Sequence, residues 1–190
     1  VKMLQDNGIF ATAFFVIGLP GESDEERMMN RDFIVDAGFD WAFFNYATPL
    51  RGSELFKICK ENGWIEEKYL ALGMADLMDY VIRAPNMNIE RIKRDMFLMN
   101  LDVNFVNNRC MRVGDFATAI SSFEEVISRH ETQPFAHYFL ANAYEALNES
   151  DSRIWKHRKK FNDIVAGDDY WLDLVRHFNL KLMVNELATL

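Results

Sequence analysis

Two short segments carry the residues best suited to holding a ligand. The first reads Ala13-Phe14-Phe15-Val16-Ile17-Gly18-Leu19-Pro20-Gly21-Glu22-Ser23, an apolar run that ends in a Gly-Pro-Gly turn and passes directly into helix-starting residues. About thirty residues on, Phe43-Phe44-Asn45-Tyr46-Ala47-Thr48-Pro49-Leu50-Arg51-Gly52-Ser53 repeats the plan. Strand, tight loop, helix is the sequence of a βα loop on the carboxyl edge of a parallel sheet, the edge where α/β proteins bind ligands. Glu22 places a carboxylate where the helix begins, either to hold the turn or to meet polar ligand atoms. Gly18, Pro20 and Gly21 are also ordinary turn residues. A phosphate held at the helix N-terminus is a further reading. It is weak, because the Lys and glycine spacing of a P-loop are absent.

Other reactive side chains form no pattern. His130, His137, His157 and His177 lack metal-ligand spacing, and surface or helix-packing roles are expected for them. Cys59 and Cys110 are too far apart in sequence to suggest a disulfide framework or a cysteine-based metal site. Cys59, four residues after Leu55, reads as a small buried hydrophobe. The basic run Arg153, Lys156, His157, Arg158, Lys159 and Lys160 reads as a solvated helix face.

Certain elements must position these residues. A first helix around Lys2–Gln5 ends at Asn7-Gly8, where a positive φ is cheap. The near-continuous apolar character of Ile9–Leu19 predicts a strand buried on both faces. Ser23 and Glu26 have the spacing of a capping box, with Asp24 and Glu25 in the first turn, and that helix runs to Ala37 and stops at Gly38. Trp41–Thr48 is the second strand, and Ser53–Asn62 the next helix, closed by Gly63. The β-α-β-α order with short loops predicts parallel strands and a right-handed crossover. Two parallel strands are too few for a stable sheet, and the chain starts at Val1. It is therefore expected to be a piece of a longer protein.

After a stretch in which Met74, Leu77, Met78 and Val81 fall at helical spacing, Pro85-Asn86 breaks the chain and marks the expected domain boundary. Everything beyond reads as helix: Ile89–Val113, Phe116–Arg129, Pro134–Leu147, Ser152–Val165, and Tyr170 to about Leu187. Gly114-Asp115-Phe116-Ala117-Thr118-Ala119-Ile120-Ser121-Ser122-Phe123 resembles the inter-helix turn and second helix of a tetratricopeptide repeat. Ala136–Tyr144 resembles the following first helix, with Leu140, Ala141 and Tyr144 at the pattern positions. An ordinary helical bundle is the alternative. Either way helices stack in pairs and offer a face to a neighbour.

Bulk composition narrows the classes. The 190 residues are 49% hydrophobic with sixteen Phe, enough for a core, and 21 Lys/Arg stand against 29 Asp/Glu for a net charge of −8. An acidic chain is a poor general nucleic-acid binder. No membrane span is expected, and the sparse cysteines point to a reducing, cytoplasmic setting.

The paired motifs Val16-Ile17-Gly18-Leu19-Pro20-Gly21-Glu22-Ser23 and Thr48-Pro49-Leu50-Arg51-Gly52-Ser53-Glu54-Leu55-Phe56 resemble the later half of a radical S-adenosylmethionine (SAM) enzyme core. The likeness is to the subgroup that often carries a cobalamin-binding domain. Lys60-Glu61-Asn62-Gly63-Trp64-Ile65 resembles the helix end seen there, so the resemblance covers residues 1 to about 70. It implies residues 1–85 as the C-terminal portion of a partial (β/α) TIM-like barrel; with the repeat-like helices of residues 86–190 as tetratricopeptide-like hairpins, the expected chain is α/β then all-α. It implies that Ile17, Gly18, Pro20, Gly21 and Glu22 lie near SAM, with Asn45 and Tyr46 facing the barrel mouth. The implied cofactors are SAM and a [4Fe–4S] cluster, with cobalamin as a further candidate. A small-molecule or peptide substrate is implied, and a protein partner for the helical repeats. The sequence departs from the family in lacking a Cys-x-x-x-Cys-x-x-Cys segment, so the chain alone is expected to be inactive. The alternative expectation is a tetratricopeptide-like interaction module without catalytic activity.

Overall fold

The computed structural model describes residues 1–72 and 80–182. The chain divides into two compact units, Val1–Val103 and Asn104–Leu190. Residues 74, 77 and 78, read above as part of a helical pattern, and the last residues of the expected terminal helix lie outside the described residues.

The first unit runs α1 (Lys2–Asp6), β1 (Thr12–Ile17), α2 (Asp24–Ala37), β2 (Trp41–Tyr46), α3 (Glu54–Glu61), α4 (Glu67–Leu72) and α5 (Ile89–Leu101). The strands, rich in the β-branched and aromatic residues that fit a pleated surface, pair in parallel from Thr12 opposite Trp41 to Ile17 opposite Tyr46. The Ser23–Glu26 capping box is complete, with Ser23 Oγ accepting from the Glu26 amide and the Glu26 carboxylate accepting from the Ser23 amide. Ser23 thereby fixes where β1's loop turns into α2.

The apolar run of β1 is not buried on both sides as expected. Its exposure alternates with the period of a half-buried strand. Phe15, Ile17, Ala42, Phe44 and Tyr46 share one face and join two apolar clusters. One contains Ile34 of α2; the other contains Cys59 of α3, Tyr80, and Ile92 and Met99 of α5. Phe14, Val16 and Phe43 point the other way and stay 72%, 51% and 46% exposed, with the rings of Phe14 and Phe43 stacked at 5.0 Å. Among the described residues, the helices pack on one face of the sheet.

Where the sequence suggests a break at Pro85-Asn86, the compact unit continues to Val103, because α5 buries Ile92 and Met99 against the core that holds Ile17. The long helix expected over Ile89–Val113 is interrupted: α5 gives way to a π-helical stretch, Asp102–Val106, and α6 restarts at Arg109–Val113. Asn108 makes the restart, donating to the Asn104 carbonyl at 3.0 Å and accepting from the Met111 amide at 3.0 Å. A side-chain amide that satisfies helix-end groups on both sides turns a continuation into a new helix.

The second unit continues with α7 (Phe116–Arg129), α8 (Pro134–Ala146), α9 (Asp151–Ala166) and α10 (Asp169–His177). Short connections force consecutive helices to pack on one another. α8 is the central layer: Phe135, Ala136, Leu140, Ala141 and Ala143 are inaccessible to solvent. Small residues on both sides of α8 let α7 and α9 approach closely. The basic run of α9 is neutralised by neighbours, with Arg158 on Glu145 at 2.6 Å, Lys159 on Asp163 at 2.7 Å and Lys160 on Glu131 at 3.0 Å.

Candidate functional site

The parallel register sets two loops side by side. The Ala47 amide donates to the Ile17 carbonyl at 2.8 Å, extending the ladder by one bond past the strands. The Gly18–Glu22 loop and the Thr48–Gly52 loop therefore leave the same sheet edge as neighbours.

The first loop is held from both sides of one residue. Gly18 adopts φ +86°, a conformation open to glycine at little cost. Its amide donates to Glu22 Oε2 at 2.7 Å, and its carbonyl accepts from the Tyr80 hydroxyl at 2.7 Å. A Cβ at Gly18 would stand 2.7 Å from a Tyr80 ring carbon and 3.3 Å from Ile92 Cγ2. The glycine here makes room for the protein's own core. Gly21, at φ +90°, has nothing within 4 Å of where its Cβ would be. It faces an open depression of about 500 Å³ whose lining includes Pro20, Glu22, Glu26 and Asn30.

Glu22 fixes the loop through its bond from Gly18. Burial raises its carboxyl pKa above the ordinary value, against the lowering pull of the Gly18 amide and of Arg27. The Arg27 side chain is 2% exposed and sits 3.6 Å from Glu22, within ion-pair reach of Asp24, and 3.2 Å from Asp95 of α5. Arg91 closes the network on Asp24 at 2.6 Å. One turn further along α2, Arg31 Nε reaches Asp102 at 2.6 Å. Buried guanidinium groups are stable only when such partners surround them. The outcome is a charged seam that locks the start of α2 to α5 beneath the loop.

The remaining residues suggested by the sequence are spread over the two faces. Ile17 is fully buried in the core. Asn45 is exposed on the open face, where it pairs in register with Val16. Tyr46 points to the helix-covered face, its ring 5.8 Å from that of Tyr80. Adjacent strand residues alternate faces, so Asn45 and Tyr46 do not converge.

Tyr80, Arg27 and Asp95 escaped the sequence reading. Tyr80 lies 62 residues from Gly18 and carries no local signal. Arg27 did offer one: it shares the inward stripe of α2 with Ile34, seven residues on, and both are buried. In the second unit the structure brings together His137 and His157, two histidines without ligand spacing, with ring centroids 5.1 Å apart. Among the described residues no group of three or more His, Cys, Asp or Glu is placed to hold a metal ion.

Comparison with known proteins gives partial likenesses. The chain is 36% identical over 72 residues to a cytidylyl-2-hydroxyethylphosphonate methyltransferase of Streptomyces wedmorensis, a match covering 35% of this chain and 14% of that protein. It is 29% identical over 84 residues to a Methanocaldococcus jannaschii protein named as a methylthiotransferase, covering 40% of this chain and 19% of that one. The matches thus span under a fifth of these curated relatives. Part of this chain is similar to part of enzymes named for transferring methyl-bearing groups. No family model matches the chain, and no solved structure does. No helix among the described residues is long and apolar enough to cross a membrane.

Proposed function

We propose that the first unit, which α5 extends from the expected boundary at residue 85 to Val103, forms a rim segment of the partial (β/α) barrel of a radical SAM enzyme, and that the tetratricopeptide-like helices of the second unit dock a protein partner. The observation that carries this reading is the adjacency of the Gly18–Glu22 and Thr48–Gly52 loops at one edge of an in-register parallel pair. The partial relatives, both named for methyl-type group transfer, support a donor such as SAM. The open, Cβ-free surface at Gly21 suits a close approach of the nucleoside or amino-acid part of that cofactor. Phe14, Val16, Phe43 and Asn45, on the face the helices leave uncovered, would look into the barrel.

A [4Fe–4S] cluster needs thiolates, and this chain does not fit one. Its two cysteines are both buried, in separate units. The cluster ligands of the proposed enzyme therefore come from sequence beyond this chain, and no redox step is assigned to these residues. The subgroup resemblance extends the proposal to a cobalamin-dependent enzyme, with no residue here assigned to the corrin.

The reading frame preceding Val1 tests the reading. It is expected to encode a Cys-x-x-x-Cys-x-x-Cys segment and earlier barrel strands. The reconstituted, reduced full-length protein is then expected to cleave SAM to 5′-deoxyadenosine. A natural chain that starts at Val1 would refute the reading in favour of an interaction module without catalysis, the role that the stacked helices of the second unit would then serve alone.

A further inference from the structure

The stacked histidines of the second unit form a directional chain. His137 of α8, 3% exposed, has its Nε2 2.9 Å from the Glu131 carbonyl oxygen. A carbonyl only accepts, so Nε2 carries the hydrogen. In the neutral ring Nδ1 then offers a lone pair. That lone pair faces His157 Nδ1 of α9 at 2.8 Å, so His157 is the donor. The sequence Glu131 C=O, His137, His157 ties the connection before α8 to α8 and then to α9. A second proton on His137 would set two N–H groups against each other and place two cationic rings in a stack only 28° from parallel.

Groups facing the pair come from each neighbouring element. Glu124 of α7 is drawn off by the Tyr144 hydroxyl, which donates to it at 2.5 Å, and by Arg153 at 3.6 Å. Glu131 is held by Lys160. Tyr144 of α8 lies 5.8 Å from His157, ring to ring. From α9, Lys156, Lys160 and Arg153 oppose added positive charge. Glu124 and Glu131, and Asp163 of α9, which lines the same depression as the two rings and is held by Lys159 at 2.7 Å, are all paired with other groups.

We propose that the His137–His157 contact is an acid-sensitive latch: it fastens α9 to α8 while the rings are neutral, and protonation of the pair frees α9 and uncovers the apolar flank of α8 around Tyr138. Burial first, then the neighbouring positive groups, holds His157 down to about 4, and burial lowers His137 below its ordinary 6.5. The sign follows. A base whose pKa is depressed in the closed state takes up protons on opening, so closure weakens as pH falls from 6.5 toward 4. For His157 alone, linkage gives a shift of about twentyfold toward the open state between pH 7 and pH 5.

Hydrogen exchange of the full 190-residue chain tests the latch, read as protection factors so that the pH dependence of the chemical step divides out. The α8–α9 amides are expected to lose about twentyfold in protection from pH 7 to pH 5. His157→Asn keeps an N–H donor near the Nδ1 position and cannot titrate, and is expected to lose much less. Unchanged protection in the native chain, or an equal loss in the variant, overturns the proposal. If the variant is unfolded at pH 7, the ring 15N shifts of the native chain decide. An Nε2–H tautomer for His137 supports the latch, and an Nδ1–H tautomer overturns it.

Discussion

The Tyr80 hydroxyl donates to the Gly18 carbonyl at 2.7 Å, joining residues 62 apart in the chain. On the other side of Gly18 the amide is taken by Glu22. The turn that would face a ligand is thus held by a core tyrosine and a buried carboxylate.

Tyr80→Phe keeps the ring and deletes this bond, leaving a buried carbonyl without its donor. The expected cost is about 1–2 kcal/mol of unfolding free energy. Denaturant titration of the chain measures it. A loss below about 0.3 kcal/mol would mean the carbonyl finds another partner and the clamp does not matter.

Gly18→Ala and Gly21→Ala both put a side chain at positive φ, which costs about 1–2 kcal/mol. Only at Gly18 does the new Cβ meet Tyr80 and Ile92. Gly18→Ala is therefore expected to cost at least about 1 kcal/mol more than Gly21→Ala, the usual scale of core overpacking. Equal losses in parallel melts would show that the loop relaxes away from Tyr80.

Glu22→Gln removes a carboxylate whose pKa burial has raised. The folded state holds its proton to higher pH than the unfolded chain does, so the contribution of Glu22 is greatest below 4.5 and declines as pH rises through the folded value. The stability difference, native minus variant, is expected to fall between pH 4 and pH 7 in a series of urea titrations. A flat or rising difference would mean that Arg27 outweighs burial.

Sequence-local signals carried much of this architecture. Ser23 and Glu26 are three residues apart and mark the start of α2, and the apolar runs around Phe15 and Phe44 mark the strands. Pro134 and the small residues of α8 announced a tightly packed helix. What escaped was the pairing of distant residues. Arg27 with Asp95 is 68 apart, and His137 with His157 is 20 apart; neither partner has a spacing that names the other. The break at Asp102–Asn108 was hidden because apolar periodicity continues through it, and only the capping contacts of Asn108 reveal the restart. Gly18 was legible as a turn residue, but the Tyr80 ring that demands its missing side chain was not.

The bare aromatic strip of Phe14 and Phe43, on strands whose outer edges meet no other strand among the described residues, has a practical corollary at the bench. Sulfate-rich precipitants sharpen attraction between oily surfaces. Solutions of this polypeptide would turn turbid early as such salts are added, and crystals grown from them would be cemented phenyl to phenyl.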